Sequence, residues 1–587
     1  LRKDFSSFNT KENAKSHTKT VILIHQLHKV MFPFLVKHMV RHDLFAKIAS
    51  FKGDLRMKRM RAVLLRGAGL GVLLATCAVN AQNPPPREHE STTTPQAQQP
   101  QGGSRSTPAA PPANVEEGAA AHRVPGPPPE EKTSVTRHSA RIGGQQINYT
   151  ATAGTYIIKA DDGTPKASFF YVAYTKDGVA DAAERPIAIC YNGGPGSASL
   201  FTHMGFGPKR VVLTADGHGM PAPYKITDNE DSFLDAADLV FVDAVSTGYS
   251  RPVPGQSPAQ FHGIIQDANY FSDFIYQYLT RNERWNSPKY LIGESYGTTR
   301  SAELSGVLQE RHQIYLSGIV LVSSVAFTDV SGDDRNAFFL PTMTATAWYH
   351  HLLSPELQKE SIEQVTQQAR EFAHGEYAAT LEKGDLATPE EHQKTVQELA
   401  RFTALSPKYI EYANLRVSPF RWFKELERDK RRTIGRLDSR FEGYDVDAAG
   451  ERFEYDPSEA SYEGAYSATF HDYVRRDLKW ESDMYYPIAA NVRPWDQTGG
   501  TQVAEVLRAA MTQQTNLKVL VVCGYYDVAT PFNGIEHTVE HMHLEPPLKK
   551  NISFSYYEAG HMVYIDEKAH HKLHKDVDNF IESSYQH

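Results

Sequence analysis

The chain has 587 residues, 40% of them hydrophobic and 22% charged, which suits a soluble globular protein with room for one large domain carrying an insertion, or several smaller ones. A net charge of -8 gives no reason to expect a nucleic-acid partner. Three cysteines, Cys77, Cys190 and Cys523, are too few for a disulfide-stapled secreted module.

Residues 1–56 are basic and His-rich without clean periodicity, and translation is expected to begin at Met57 or Met60. Residues 57–81 read as a signal peptide. A basic patch, Met57 to Arg61, precedes a short apolar core, Gly67 to Val79, and small residues lead to a cleavage site before Gln82. That core is too short for a membrane span. Leu74-Ala75-Thr76-Cys77 loosely resembles a lipobox, with threonine a poor fit before the cysteine. Residues 82–138 are rich in Pro, Gln, Ala, Ser and Thr and read as a disordered linker, because they cannot bury enough apolar surface to offset chain entropy. The expectation is export, to a periplasm or the outside.

From residue 139 the pattern changes. Gln146–Tyr156 and Ala167–Tyr174 are expected to form antiparallel strands about a turn at Asp161-Asp162-Gly163. Apolar runs then alternate with helical stretches, at 186–191, 238–243, 290–293, 318–322, 518–523 and 552–557. Such runs imply a mostly parallel sheet with helices on both faces, hence an α/β fold. Residues 331–485 interrupt the alternation. They are largely helical in pattern, with Trp348, Tyr349, Trp422 and Phe423, and are read as a cap inserted between the halves 139–330 and 486–587. Cys190 and Cys523 lie in apolar runs, where two buried free thiols are expected although a disulfide between them is possible.

Lys289 to Ile292 is an apolar run that meets Gly293-Glu294-Ser295-Tyr296-Gly297 and then a helical stretch. This is a G-x-S-x-G nucleophile elbow in strand–turn–helix context, the signature of an α/β-hydrolase fold, and it makes Ser295 the candidate nucleophile. A serine hydroxyl needs a base, an acid that orients the base, and donors for the oxyanion. Asp527 follows the run 518–523, and His561 follows the run 552–557. Their order, Ser then Asp then His, is that of this fold. The N–H of Tyr296 is the first expected oxyanion donor, and the second is expected from the loop Asn192-Gly193-Gly194-Pro195-Gly196.

Together, Asn192 to Gly196, Gly293 to Gly297, Asp527 and Gly560-His561-Met562-Val563 resemble the serine carboxypeptidases, peptidase family S10, as does Val242 to Ser250. The likeness spans roughly 140–587 and is that of a bacterial-type exported member. It implies an exopeptidase removing C-terminal residues, with Asn192 and Glu294 binding the substrate's terminal carboxylate and Gly194 and Tyr296 forming the oxyanion hole. Two apposed acids raise a pKa, so binding is expected to favour acidic pH. Departures from the family pattern are visible. Its acid in an E-x-G-P segment has no counterpart in Gly205-Phe206-Gly207-Pro208, and its usual cysteine after the glycine motif is Ser197. Its G-D-x-D before the catalytic acid reads Gly524-Tyr525-Tyr526-Asp527.

His570, His571 and His574 are spaced as metal ligands could be, but no partner ligand is evident and a solvated C-terminal helix is expected. No cofactor and no metal are expected. The reading is an exported serine carboxypeptidase acting on peptide or protein C-termini, with no nucleic acid and no membrane span; a dimer is possible. The alternatives are an esterase or acyltransferase using the same three residues, or a non-catalytic surface binding protein.

Overall fold

The computed structural model describes residues 130–327 and 332–585. The expectations for residues 1–81, and for most of the linker, lie outside these residues.

Nine strands build the central sheet: β1 (Thr133–Ile142), β2 (Gln145–Lys159), β3 (Pro165–Lys176), β4 (Ile187–Tyr191), β5 (Asp238–Val242), β6 (Lys289–Glu294), β7 (Gly318–Val322), β8 (Lys518–Gly524) and β9 (Ile552–Tyr557). Their order is β1-β2-β3-β5-β4-β6-β7-β8-β9, and a two-residue strand, Arg251–Pro252, adds to β3. β1, β2 and β3 are antiparallel, and β3 meets β5 antiparallel. From β5 across to β9 every pairing is parallel. β1 begins at Thr133, earlier than the expected boundary at 139. The reason is that its outward positions are polar and exposed, so its composition resembles the linker while its backbone is fully paired with β2.

The parallel strands β4 to β8 are short apolar runs buried on both faces, as period-2 geometry requires when helices cover each side, whereas β9 at the edge is only partly buried. One face carries Cys190, Ile292, Val320, Leu520 and Val522 against Leu573, Val577 and Ile581 of the helix Glu567–Tyr585. The other carries Ile189, Leu291, Ile319, Val519 and Val521 against helices Ile264–Arg281, Tyr296–His312 and Val503–Gln513. Cys190 and Cys523 are buried free thiols. This is an α/β-hydrolase fold. No helix among the described residues is long and apolar enough to cross a membrane.

Between β7 and β8 the insertion is helical, from Asp334–Tyr349 to Pro457–Arg476, with one small ribbon, Thr433–Ile434 paired with Glu442–Gly443. It has a core of its own, in which Leu340, Met343, Val396, Leu399, Trp422 and Phe423 pack together. Trp422 is fully buried and its indole N–H donates to the Thr403 carbonyl at 3.3 Å. Trp422→Ala should therefore lower stability by about 3–5 kcal/mol, read as a shift in the denaturant midpoint.

Candidate active site

Parallel strands end at one edge of a sheet, and the loops that leave that edge are where α/β proteins gather ligands. Here Tyr191 lies beside Gly293, Glu294 beside Val322, and Gly524 beside Tyr557. The segments leaving these ends carry Asn192 to Gly196, Ser295, Asp527 and His561.

Ser295 sits at the top of β6 with φ 60° and ψ -127°, a backbone conformation that a side chain resists. Its N–H donates to the Val322 carbonyl at 3.0 Å, and its own carbonyl accepts from Thr298 N–H at 2.9 Å. The turn leaves no room at its neighbours. A Cβ on Gly293 would lie 2.3 Å from the Gly297 carbonyl oxygen, and one on Gly193 would lie 2.4 Å from the Tyr296 nitrogen. The glycine loop is thus pressed directly against the elbow.

His561 Nδ1 is 2.8 Å from Asp527 Oδ2, and both residues are buried. Asp527 Oδ1 accepts from the N–H groups of Ala529 and Thr530, each at 2.9 Å, and the Thr530 hydroxyl lies 2.5 Å from Oδ2. These bonds fix the carboxylate, which in turn fixes the ring. Burial opposes a charge on His561, but the adjacent Asp527 carboxylate outweighs it and raises the imidazole pKa. Ser295, His561, Asn192, Gly194 and Glu294 all line one pocket of about 170 Å³.

Glu294 is buried beneath that pocket. Its Oε1 accepts from the Asn192 amide at 2.6 Å, and Asn192 Oδ1 accepts from Thr202 N–H at 3.0 Å. Burial raises the Glu294 pKa, offset in part by His561, the Tyr564 hydroxyl and Asn192. The second carboxyl oxygen of Glu294 and the neighbouring Tyr564 hydroxyl are both buried, and no other group approaches them within hydrogen-bond distance. Tyr564 also accounts for the missing acid. A Cβ on Gly205 would lie 2.4 Å from the Tyr564 ring, so no carboxylate can occupy position 205 while that ring is present.

The loop is braced from behind. Arg300 is fully buried, bonds Asp267 at 2.7 Å, and donates to the Asn192 carbonyl at 2.9 Å. The segment Val242 to Ser250 has a similar structural part: Asp243 accepts from Ser199 N–H at 2.9 Å and from Tyr249 N–H at 3.2 Å, tying two loops together.

Sequence reading missed several lining residues. Arg436, Leu437, Glu459 and Tyr462 reach the pocket from the insertion, and Thr530 steadies Asp527. No motif marks the first four, because their approach depends on how the insertion folds back. The C-terminal helix departs from expectation. His570 and His574 are buried on its inner face, His571 and His574 pair with Asp231 and Asp235, and only the outer face is solvated. Burial pushes the His570 pKa down to about 4, so that ring is neutral.

The chain is similar in sequence to known proteins. The serine carboxypeptidase family model matches residues 144–572. Serine carboxypeptidase-like 35 of Arabidopsis thaliana is 23% identical over 253 residues, 40% of this chain and 48% of that protein. Serine carboxypeptidase-like 29 of the same plant is 24% identical over 180 residues, 30% and 35% of the two chains. The chain thus spans about half the length, or less, of these relatives. Among solved structures, proline iminopeptidase of Mycobacterium smegmatis is 14% identical with a TM-score of 0.31, over 73% of this chain and 98% of that one. An esterase of Thermogutta terrifontis is 11% identical with a TM-score of 0.30, over 74% and 99%. With the family model covering nearly the whole of the described α/β unit, this chain belongs to the serine carboxypeptidase family.

Proposed function

We propose that this protein is a serine carboxypeptidase that hydrolyses C-terminal peptide bonds through an acyl-enzyme. The observation that carries the reading is a serine on a strained elbow sharing a pocket with a histidine that is itself hydrogen-bonded to a buried aspartate. Ser295 Oγ attacks the scissile carbonyl carbon while His561 Nε2 takes its proton. The N–H groups of Gly194 and Tyr296 receive the oxyanion. The C–N bond then breaks, His561 returns the proton to the leaving amine, and water repeats the sequence to free Ser295. Asn192 and Glu294 bind the terminal carboxylate of the substrate. Export, by way of residues 57–138, belongs to the same proposal and rests on composition alone.

A second reading, an esterase or acyltransferase, is favoured by Tyr564 standing where an acid at position 205 would go. A blocked dipeptide with a free C-terminal acid, compared with its amide, separates the two, because a carboxypeptidase requires the acid.

Ser295→Ala should keep the unfolding midpoint and lose turnover by about 10⁴-fold or more. A variant that retains near-native turnover would remove Ser295 from the nucleophile role. Labelling of the native protein, and not of the variant, by a fluorophosphonate probe checks the same assignment independently.

The pH dependence follows from two groups with opposite requirements. His561 acts as a base only when neutral, so activity on any substrate rises with pH through its raised pKa. Glu294 can donate to a substrate carboxylate only when protonated, which burial favours at low pH; once ionised it repels that carboxylate. An amide substrate feels only His561. The acid-to-amide ratio of kcat/KM therefore isolates Glu294, and it should fall steadily between about pH 5 and pH 8. A ratio that is flat or rising would remove Glu294 from carboxylate recognition.

A further inference from the structure

Arg436 brings a guanidinium into the catalytic pocket from the insertion. Among the described residues no hydrogen bond or close ion pair holds its side chain; Glu459, which lines the same pocket, acts on it through charge alone. Its backbone, by contrast, is fastened on every side. Arg436 N–H donates to Asp456 Oδ1 at 3.1 Å, and the Arg436 carbonyl accepts from Val528 N–H, next to Asp527, at 3.2 Å. One residue on, Leu437 N–H donates to Asp456 Oδ2 at 3.0 Å and the Leu437 carbonyl accepts from His561 N–H at 2.6 Å. A cation on so fixed a frame, half-buried and with its hydrogen-bond donors uncommitted to any acid, can take an anionic ligand while Glu459 acts on it only at longer range.

Asn192 and Glu294 alone offer a carboxylate no positive charge. Asn192 already spends one amide N–H on Glu294, Glu294 is an acid, and the Tyr564 ring excludes a further acid at position 205. Apart from the catalytic His561, Arg436 is the basic side chain among the described residues that line this pocket. We propose that Arg436 joins Asn192 and Glu294 in binding the terminal carboxylate of the substrate and supplies the positive charge that favours free-acid chain ends in this protein. The proposal deepens the carboxypeptidase reading and rests on it for the identity of the anion. Arginine suits the task because its planar fork can engage both carboxylate oxygens.

The test uses hydrolysis of a p-nitrophenyl ester that carries no carboxylate as the assay in every variant. A blocked dipeptide acid and its amide compete against it. Arg436→Gln should weaken inhibition by the acid roughly ten- to a hundred-fold relative to the amide. Arg436→Lys, which keeps the charge, should recover part of that loss. Glu459→Gln should leave the acid-to-amide preference in place, since it removes a negative charge that opposes an incoming carboxylate. A dipeptide amide ending in glutamate separates side-chain from terminal carboxylate; its inhibition should change less in Arg436→Gln than that of the acid. The proposal is overturned if acid and amide compete equally in the native protein, or if Arg436→Gln changes both alike. It is also overturned if Glu459→Gln reproduces the loss, or if the glutamate amide loses as much as the acid. Failure of the native protein to cleave the dipeptide acid at all, with the acid still outcompeting the amide, would instead remove the carboxypeptidase reading and leave Arg436 a carboxylate site.

Discussion

The site depends on one backbone torsion. Ser295 is held at φ 60°, and every neighbour is arranged so that this conformation persists. A bulkier residue at 193 or 293 would drive backbone into backbone. The hydrogen bond from Ser295 N–H to Val322 anchors the turn to the next strand, and the helix Tyr296–His312 begins immediately after it. Strain of this sort costs on the order of 1–3 kcal/mol and lasts only where the surroundings over-determine it. The parallel sheet, with its two apolar faces, supplies that rigidity. The turn directs the serine side chain into a pocket it shares with His561.

Charge is distributed around the pocket with similar economy. Asp527 is buried and saturated by two backbone N–H groups, a hydroxyl and an imidazole. Glu294 is not saturated: one oxygen has Asn192 and the other faces a tyrosine hydroxyl. Two buried acids close together therefore differ in their surroundings: one is fully hydrogen-bonded, and burial inclines the other, Glu294, to hold its proton. Placing a tyrosine where a second acid would sit removes a like-charge repulsion, and the arginine that lines the pocket comes from the insertion.

Much of this was legible before any coordinate. The runs at 186–191, 290–293 and 518–523 are apolar on both alternating sets, which identifies central parallel strands, and each ends at a residue whose chemistry needs a sheet edge. The elbow was readable because its glycines are demanded by local geometry. Three things were hidden. β1 has a linker-like composition because its outward residues face water. The histidines at 570 and 574 look solvated in one dimension, since burial of a helix face depends on its partner, here the loop carrying Asp231 and Asp235. Tyr564 and Gly205 are 359 positions apart and exclude each other's side chains only in space. Nothing in either stretch announces that relation.

The run Gly435 to Phe441 belongs by sequence to the insertion and by bonding to the catalytic loops. Its carbonyls at 436 and 437 receive N–H groups from beside Asp527 and from His561, and Ser439 N–H reaches the Tyr526 carbonyl at 3.0 Å. Val528, one residue past Asp527, lies in the insertion's own core. Such an insertion is no swinging door. A chimera that exchanged it wholesale for that of a relative would orphan the imidazole's backbone support, so any transplant has to leave this seam with the recipient.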